Sequence, residues 1–459
     1  MTATDPRRSI GGPPLPTYGD WPSLTPRQWP PPPSHRGATG GDDDGGTRSL
    51  FRRVGWAGIA EIVNLVGTAL LFLVLAAALD PDGYGSLQAV VSIAVIAGPL
   101  ATFGANWQLI RRTVVSTDPA VEAGRAISVA LVGTVSIASL LIVVAVAVPG
   151  ALPGISRLTI ALVLIAQMPA YWLAELAATS AVARGDLRLA AQLRVVTIVI
   201  RLLALGAFLA VGAPDLDTWA WLFAIGNLAA ALAALGMLAR SLGSAPQWIR
   251  PELSEFTTGF PYGVGNTTEG FLAASDRPLL KQNGFDAATG FYAAGYRVVT
   301  LGFIPLMALL RAQDQRFFRQ GADGSRPSHL AARSMSVHAL VATVPVAIAL
   351  WLAAPLFGLV IGSEWSETAD VIRILAVLPI IKGFQFSFGN ALTAAGNQTA
   401  RMWLTGIAAV GNLLGNLRYI PSGSWRAAAA TTLVAEVGLA IGFAAASFYY
   451  ARTRAGAAR

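Results

Sequence analysis

Three basic residues, Arg201, Arg297 and Lys382, fall inside stretches that are otherwise apolar, and so do Glu61, Asn64, Glu175, Asn266 and Glu269. An ionised side chain at the centre of a bilayer costs at least about 2.5 kcal/mol, so such a residue faces protein or water rather than lipid. A guanidinium is a rigid fork of donors that suits phosphate oxygens. Arg297, with Tyr292, Tyr296 and Thr300 close by in sequence, is therefore the first candidate for an anion site. Lys382, with Gln385 and Gly389 on its helical face, and the equally deep Arg201 complete that candidate set.

The acidic residues suggest different chemistry. Glu61, Asn64 and Thr68 at i, i+3 and i+7 share one helix face, and a carboxyl beside an amide suits Na⁺ or a proton, which would couple the protein to an ion gradient. Alternatively, Glu61 reaches the cytoplasmic interface. Gln167, Tyr171 and Glu175 share another face, with Glu175 a candidate to neutralise Arg201. In "NTTEGFLAASDRPLLK", Asn266, Glu269, Ala273 and Asp276 also lie on one face. Asn266 and Glu269 either line a cavity or, for Glu269, form a salt bridge to Arg297. Asp276 and Arg277 read as structural, with Arg277 snorkelling to headgroups and Asp276 bonded to a neighbouring helix.

The elements that must hold these residues follow from composition. Of 459 residues, 54% are hydrophobic and 13% charged, against roughly 25% charged in a soluble domain. A hydrocarbon core needs roughly 20 apolar residues per helix. Such runs begin near Trp56, Leu87, Ala126, Ile155, Ala190, Asp217, Phe256, Ala287, Ser334, Ala369, Arg401 and Ala427. The expected fold is an all-α integral membrane protein of about 12 transmembrane helices in two parallel six-helix bundles around a central cavity. With the N-terminus inside, arginines concentrate on the cytoplasmic connections by roughly four to one, as the positive-inside rule requires. The expectation is a multi-pass protein of a bacterial cytoplasmic membrane with both termini cytoplasmic.

Residues 1–50, with "PPLPTYGDWP", "WPPPPS" and "GGDDDGG", carry too little apolar content to repay ordering and read as a cytoplasmic tail. Bundles at 51–242 and 256–451, a linker at 243–255 and a tail at 452–459 complete the expected organisation. The halves resemble each other. At an offset of about 211 Gly185 meets Gly396, and at about 205 "LDPDGYGSLQAV" meets "FDAATGFYAAGY", with Gly85 against Gly290.

"LDPDGYGSLQAVVSI", "GANWQLIRR", "SDRPLLKQNGFDAATGFYAAGYRVVTL" and "TAAGNQTARMWLTGIAAVGNLLGNLRYIP" carry a resemblance over nearly everything after residue 50. The chain resembles the superfamily of multidrug and toxin exporters and lipid-linked oligosaccharide flippases, most nearly its polysaccharide flippase (Wzx-like) branch. The resemblance implies translocation of a polyprenyl-pyrophosphate-linked oligosaccharide by alternating access, basic residues in the cavity including one on the eighth helix, and a polysaccharide polymerase or glycosyltransferases as partners. An exporter of small amphipathic cations is the first rival, kept open by Glu61, Glu175 and Glu269. A membrane scaffold acting through its N-terminal tail is the second.

Other classes are excluded or weakened. There is no cysteine, hence no disulfide or thiolate site. No Walker loop and no HExxH occur, and His35, His329 and His338 form no ligand set, so neither metal nor cofactor is expected beyond a Na⁺ or H⁺ gradient. The net charge of +8 follows from arginines at span ends, so no nucleic-acid partner is expected.

Overall fold

The computed structural model describes residues 43–116, 118–148, 150–212, 215–310 and 328–457, and they are helical apart from short connections. Twelve long helices cross the molecule in two sets of six. The first set is α1 (43–79), α2 (81–115), α3 (Pro119–Ala147), α4 (Arg157–Ala183), α5 (Leu187–Val211) and α6 (Leu216–Leu242). The second is α7 (253–282), α8 (Asp286–Leu310), α9 (Ser328–Ala353), α10 (Ser363–Ala394), α11 (398–423) and α12 (425–457). Among the described residues, nine helical stretches are long and apolar enough to cross a bilayer. Two of those stretches are pairs folded back at one residue, and α7 is too polar to be among the nine, which gives twelve.

The fold-backs are local backbone events. Asp80 takes φ 56° and its carboxylate accepts from Gly83 N at 2.8 Å, while Pro81, with its fixed φ, opens α2. The reversal brings Phe72 to 5.9 Å from Tyr84. Ser424, at φ 52°, does the same between α11 and α12 and brings Thr431 onto Asn416. Helix α1 begins at Asp43, inside the stretch read from sequence as tail. Helix α2 begins at Pro81, six residues before its apolar run, because its first turn, "PDGYGS", is polar.

The sequence repeat has a counterpart in the backbone. Gly185 and Gly396 close α4 and α10 with φ of 75° and 77°. Both carry the same pair of bonds, Asp186 N to Ala181 O at 2.9 Å and Gly185 N to Val182 O at 2.9 Å, against Asn397 N to Leu392 O at 2.8 Å and Gly396 N to Thr393 O at 2.9 Å. A left-handed cap of this kind favours glycine.

Four prolines inside helices lie at breaks. Pro99 precedes a turn at 102–104, Pro169 sits in a π turn at Ala166–Ala170, and Pro305 and Pro379 follow turns in α8 and α10. Pro345 lies in α9 without interrupting it.

Candidate functional site between the two halves

With six helices per set, the α1–α2, α7–α8 and α11–α12 turns gather at the end away from both termini, the far end. There the halves touch backbone to backbone. A methyl group on Gly85 would stand 2.5 Å from Asp286 O and 2.6 Å from Gly290 N, and one on Gly290 would overlap the Pro81 carbonyl. The two glycines paired by the sequence repeat therefore meet each other. Phe72, Tyr84, Phe291, Phe357 and Trp365 pack around this contact with ring centroids 5.8–6.2 Å apart. Lys281, 2% exposed, pairs with Asp286 at 2.8 Å beneath the α3–α4 loop. At this turn burial, with Asp80 and Asp286 next, pushes the Asp82 carboxyl above its ordinary value, and Lys281 opposes the shift.

The other end is held along one flank. Glu255, 4% exposed at the start of α7, pairs with Arg112 of α2 at 2.7 Å and with Arg125 of α3 at 3.7 Å. It also closes a capping box with Glu252, and Gln108 donates to its carbonyl at 3.0 Å. Sequence reasoning placed Glu255 in the linker and gave it no role.

Arg297 lies on α8, about 17 Å from its far-end start at 1.5 Å per residue, and its side chain is exposed. It is close enough to act electrostatically on Arg201, Tyr171 and Tyr84 of the first half. Among the described residues no carboxylate pairs with it. Arg201 is held by Asn227 Oδ1 of α6 at 2.7 and 3.2 Å and lies 5.5 Å above the Tyr171 ring. Glu175 acts on it only through space. Sequence reasoning missed Asn227.

The remaining candidates lie elsewhere. Glu61, 53% exposed, pairs with Arg194 at 3.2 Å, and Asn64 is half-buried on the same helix. Glu269, 56% exposed, pairs with Arg401 of α11 at 3.2 Å and not with Arg297, while Asn266 is exposed one turn earlier. Lys382 is 2.7 Å from Glu436 of α12, which is almost fully buried, and also donates to Gln385 at 3.2 Å. Arg277 does not reach for headgroups. Its guanidinium stacks 4.8 Å from the Tyr296 ring and donates to Ser92 of α2 at 3.3 Å.

A second polar cluster fills the core of the second half. Asp276 is buried and accepts from Arg277 N at 2.9 Å and from Thr432 at 3.4 Å, and Thr432 is 3.2 Å from Tyr292. Ser275 donates to Asn412 at 3.3 Å, Asn416 to the same oxygen at 3.0 Å, and Thr431 to Asn416. These oxygens are hard donors of the kind that hold alkali or alkaline-earth cations. Among the described residues no three His, Asp or Glu come together. Asn412 and Asn416, an i, i+4 pair in an apolar run, were the sequence signal for this cluster. A separate groove of about 830 Å³ opens between α11 and α12, with Gly411, Gly415, Val434 and Gly438 in its apolar wall, and none of the candidate cations lines it.

The two sets of six helices superpose on solved structures of transporters of the MOP superfamily. An inward-facing multidrug resistance MATE family transporter of that superfamily superposes with a TM-score of 0.67 at 13% identity, covering 86% of this chain and 98% of its own. The lipid II flippase MurJ in an inward closed conformation gives 0.64 at 10% identity, covering 83% and 86%. An outward-facing MATE family transporter gives 0.58 at 14% identity, covering 88% and 96%. No protein-family model matches the sequence, and no curated protein matches it.

Proposed function

We propose that the protein is a transporter of the cytoplasmic membrane, with both termini cytoplasmic, that moves a polyprenyl-pyrophosphate-linked oligosaccharide between leaflets by alternating access for cell-surface polysaccharide synthesis. The observation that carries this reading is Arg297, an exposed guanidinium that has no ion-pair partner among the described residues and has Arg201 of the other half within electrostatic reach. A pyrophosphate supplies the charge and the oxygens that such a pair lacks. The oligosaccharide would pass through the space between the halves while the polyprenyl chain stays in lipid. Polymerases or glycosyltransferases that act on the same carrier are the natural partners.

Of the three basic residues first assigned to the headgroup, Lys382 has its charge met by Glu436, so the reading rests on Arg297 and Arg201. Coupling to Na⁺ or H⁺ belongs to the same proposal. Glu61 and Asn64 offer an exposed, ion-paired site for it, and the cluster around Asp276 offers an enclosed one.

Deletion of the gene is expected to accumulate the lipid-linked oligosaccharide in membrane extracts, reversed by wild type and not by a normally expressed Arg297→Ala. An unchanged lipid pool with raised sensitivity to cationic drugs would sink the flippase and favour export of amphipathic cations. Glu175, half-buried beside Tyr171, is the observation that favours that second reading. Deletion of residues 1–42 leaves either transport activity intact and abolishes a scaffold acting through the tail.

A further inference from the structure

Arg277 sits where the two halves touch, and its bonding is incomplete. Its Nη1 donates to Ser92 of the first half at 3.3 Å, its plane lies on Tyr296, and its Nε is buried without a partner. The adjacent carboxylate of Asp276 is engaged by the Arg277 backbone N–H and by Thr432, and the Arg277 guanidinium makes no ion pair among the described residues. Arg277 and Arg297 both act electrostatically on the Tyr84 hydroxyl beside the far-end contact. The nearby carboxylates Asp276 and Glu436 are engaged by Thr432 and by Lys382, and neither forms an ion pair with the Arg277 guanidinium among the described residues. A half-buried guanidinium with an unmet buried N–H and no ion pair, in the same region as the exposed Arg297, favours an incoming anion.

We propose that Arg277 is a second ligand of the anionic headgroup, and that its capture by the headgroup takes it from Ser92 and loosens the far-end contact between the halves. This rests on the reading of the cavity as a pyrophosphate site. The mechanism is a competition. Arg277 bonds Ser92 when the far end is closed, whereas a headgroup held by Arg297 draws the same guanidinium into the cavity. A ligand shifts an equilibrium only by its differential affinity for the two states, and here the difference is one charge-assisted bond available only when the Ser92 bond is released. Gly85 and Gly290, with no side chains to interlock, then part, and the Phe72–Phe357 and Tyr84–Trp365 ring contacts that join the halves beside them separate as well.

The test uses the full-length protein in detergent, with inorganic pyrophosphate as the probe. Binding is read by calorimetry, and opening by amide hydrogen exchange over 80–92 and 286–296. In wild type, pyrophosphate is expected to raise exchange in both segments. Arg277→Met is expected to bind roughly tenfold or more weakly, the loss of one bond to a charged group, and to show raised exchange with no further response. Ser92→Ala removes the competing acceptor and leaves the anion ligands in place, so it is expected to bind pyrophosphate severalfold more tightly. A merely structural Arg277 would give no such gain.

Undiminished binding in Arg277→Met, unchanged or weaker binding in Ser92→Ala, or wild-type exchange that is unaltered by bound pyrophosphate each overturns this inference while leaving the headgroup site standing. Absence of pyrophosphate binding in wild type, or binding that survives Arg297→Ala, overturns the headgroup reading and this inference with it. If Arg277→Met does not fold, Ser92→Ala alone decides.

Discussion

The two halves share a helix plan and a pair of matching caps, yet they treat charge differently. In the first half Arg201 meets one amide and one ring, and Glu61 meets Arg194 at an exposed site. In the second half Lys382, Glu436 and Gln385 form a buried ion-paired group, Asp276 joins Thr432 and Tyr292, and Ser275, Asn412, Asn416 and Thr431 form an adjoining set. A repeated backbone therefore does not impose repeated chemistry. The first half commits Arg201 to one amide and one ring, while the second carries the incompletely bonded Arg277 and the exposed Arg297 beside a buried polar core shared by α7, α10, α11 and α12.

The largest break in that comparison is expected at Glu436. Glu436→Ala strands the Lys382 ammonium, and breaking a buried pair costs about 3–5 kcal/mol, whereas Glu436→Leu with Lys382→Met restores most of that loss. Thermal unfolding of the purified variants reads both, and a single variant as stable as wild type would refute the buried pairing. Next in size is Asn412→Leu, which leaves the Ser275 and Asn416 donors facing an apolar group and costs about 1–3 kcal/mol. A similar loss at Asn227→Leu in the first half would erase the contrast between the halves. Gly290→Val is expected to keep the far end from closing, seen as solvent accessibility of a cysteine introduced at Thr289, which is buried in wild type. Its absence of effect would mean that the close approach to Pro81 is dispensable.

Smaller is Glu61→Gln. Its exposed pair contributes within about 1 kcal/mol, and a change in ion-dependent transport without a change in stability would sharpen the case for coupling there. The smallest concerns Asp82. Its carboxyl lies above the ordinary value, so the contribution of its protonated form is fully present below the ordinary carboxylate range and is lost as pH rises through the raised value. Asp82→Asn should remove that slope from stability measured across acidic pH, and an unchanged slope would place the dependence elsewhere.

Much of the scaffold was legible because lipid imposes a length on every crossing. Runs expected at Asp217 and Ala287 begin as helices at Leu216 and Asp286. Turn chemistry was legible too, since glycines 185 and 396 occupy matching left-handed caps. The partners of the charged residues were not. Glu269 finds Arg401 across 132 positions and Lys382 finds Glu436 across 54, and which helix stands beside which is set by packing that periodicity does not encode. Arg277 was misread for the same reason. Its sequence position near a helix end suggested an interface, whereas the adjacent half supplies Ser92.

The meeting of Gly85 with Gly290 has an ancestral reading. Residues equivalent by repeat that touch across a two-fold form a self-complementary interface, the kind that closes a symmetric homodimer. Before the halves were fused, one glycine position in a half-length protein would have supplied both faces of this contact. Duplication would then have inherited a working junction together with the matching caps at Gly185 and Gly396.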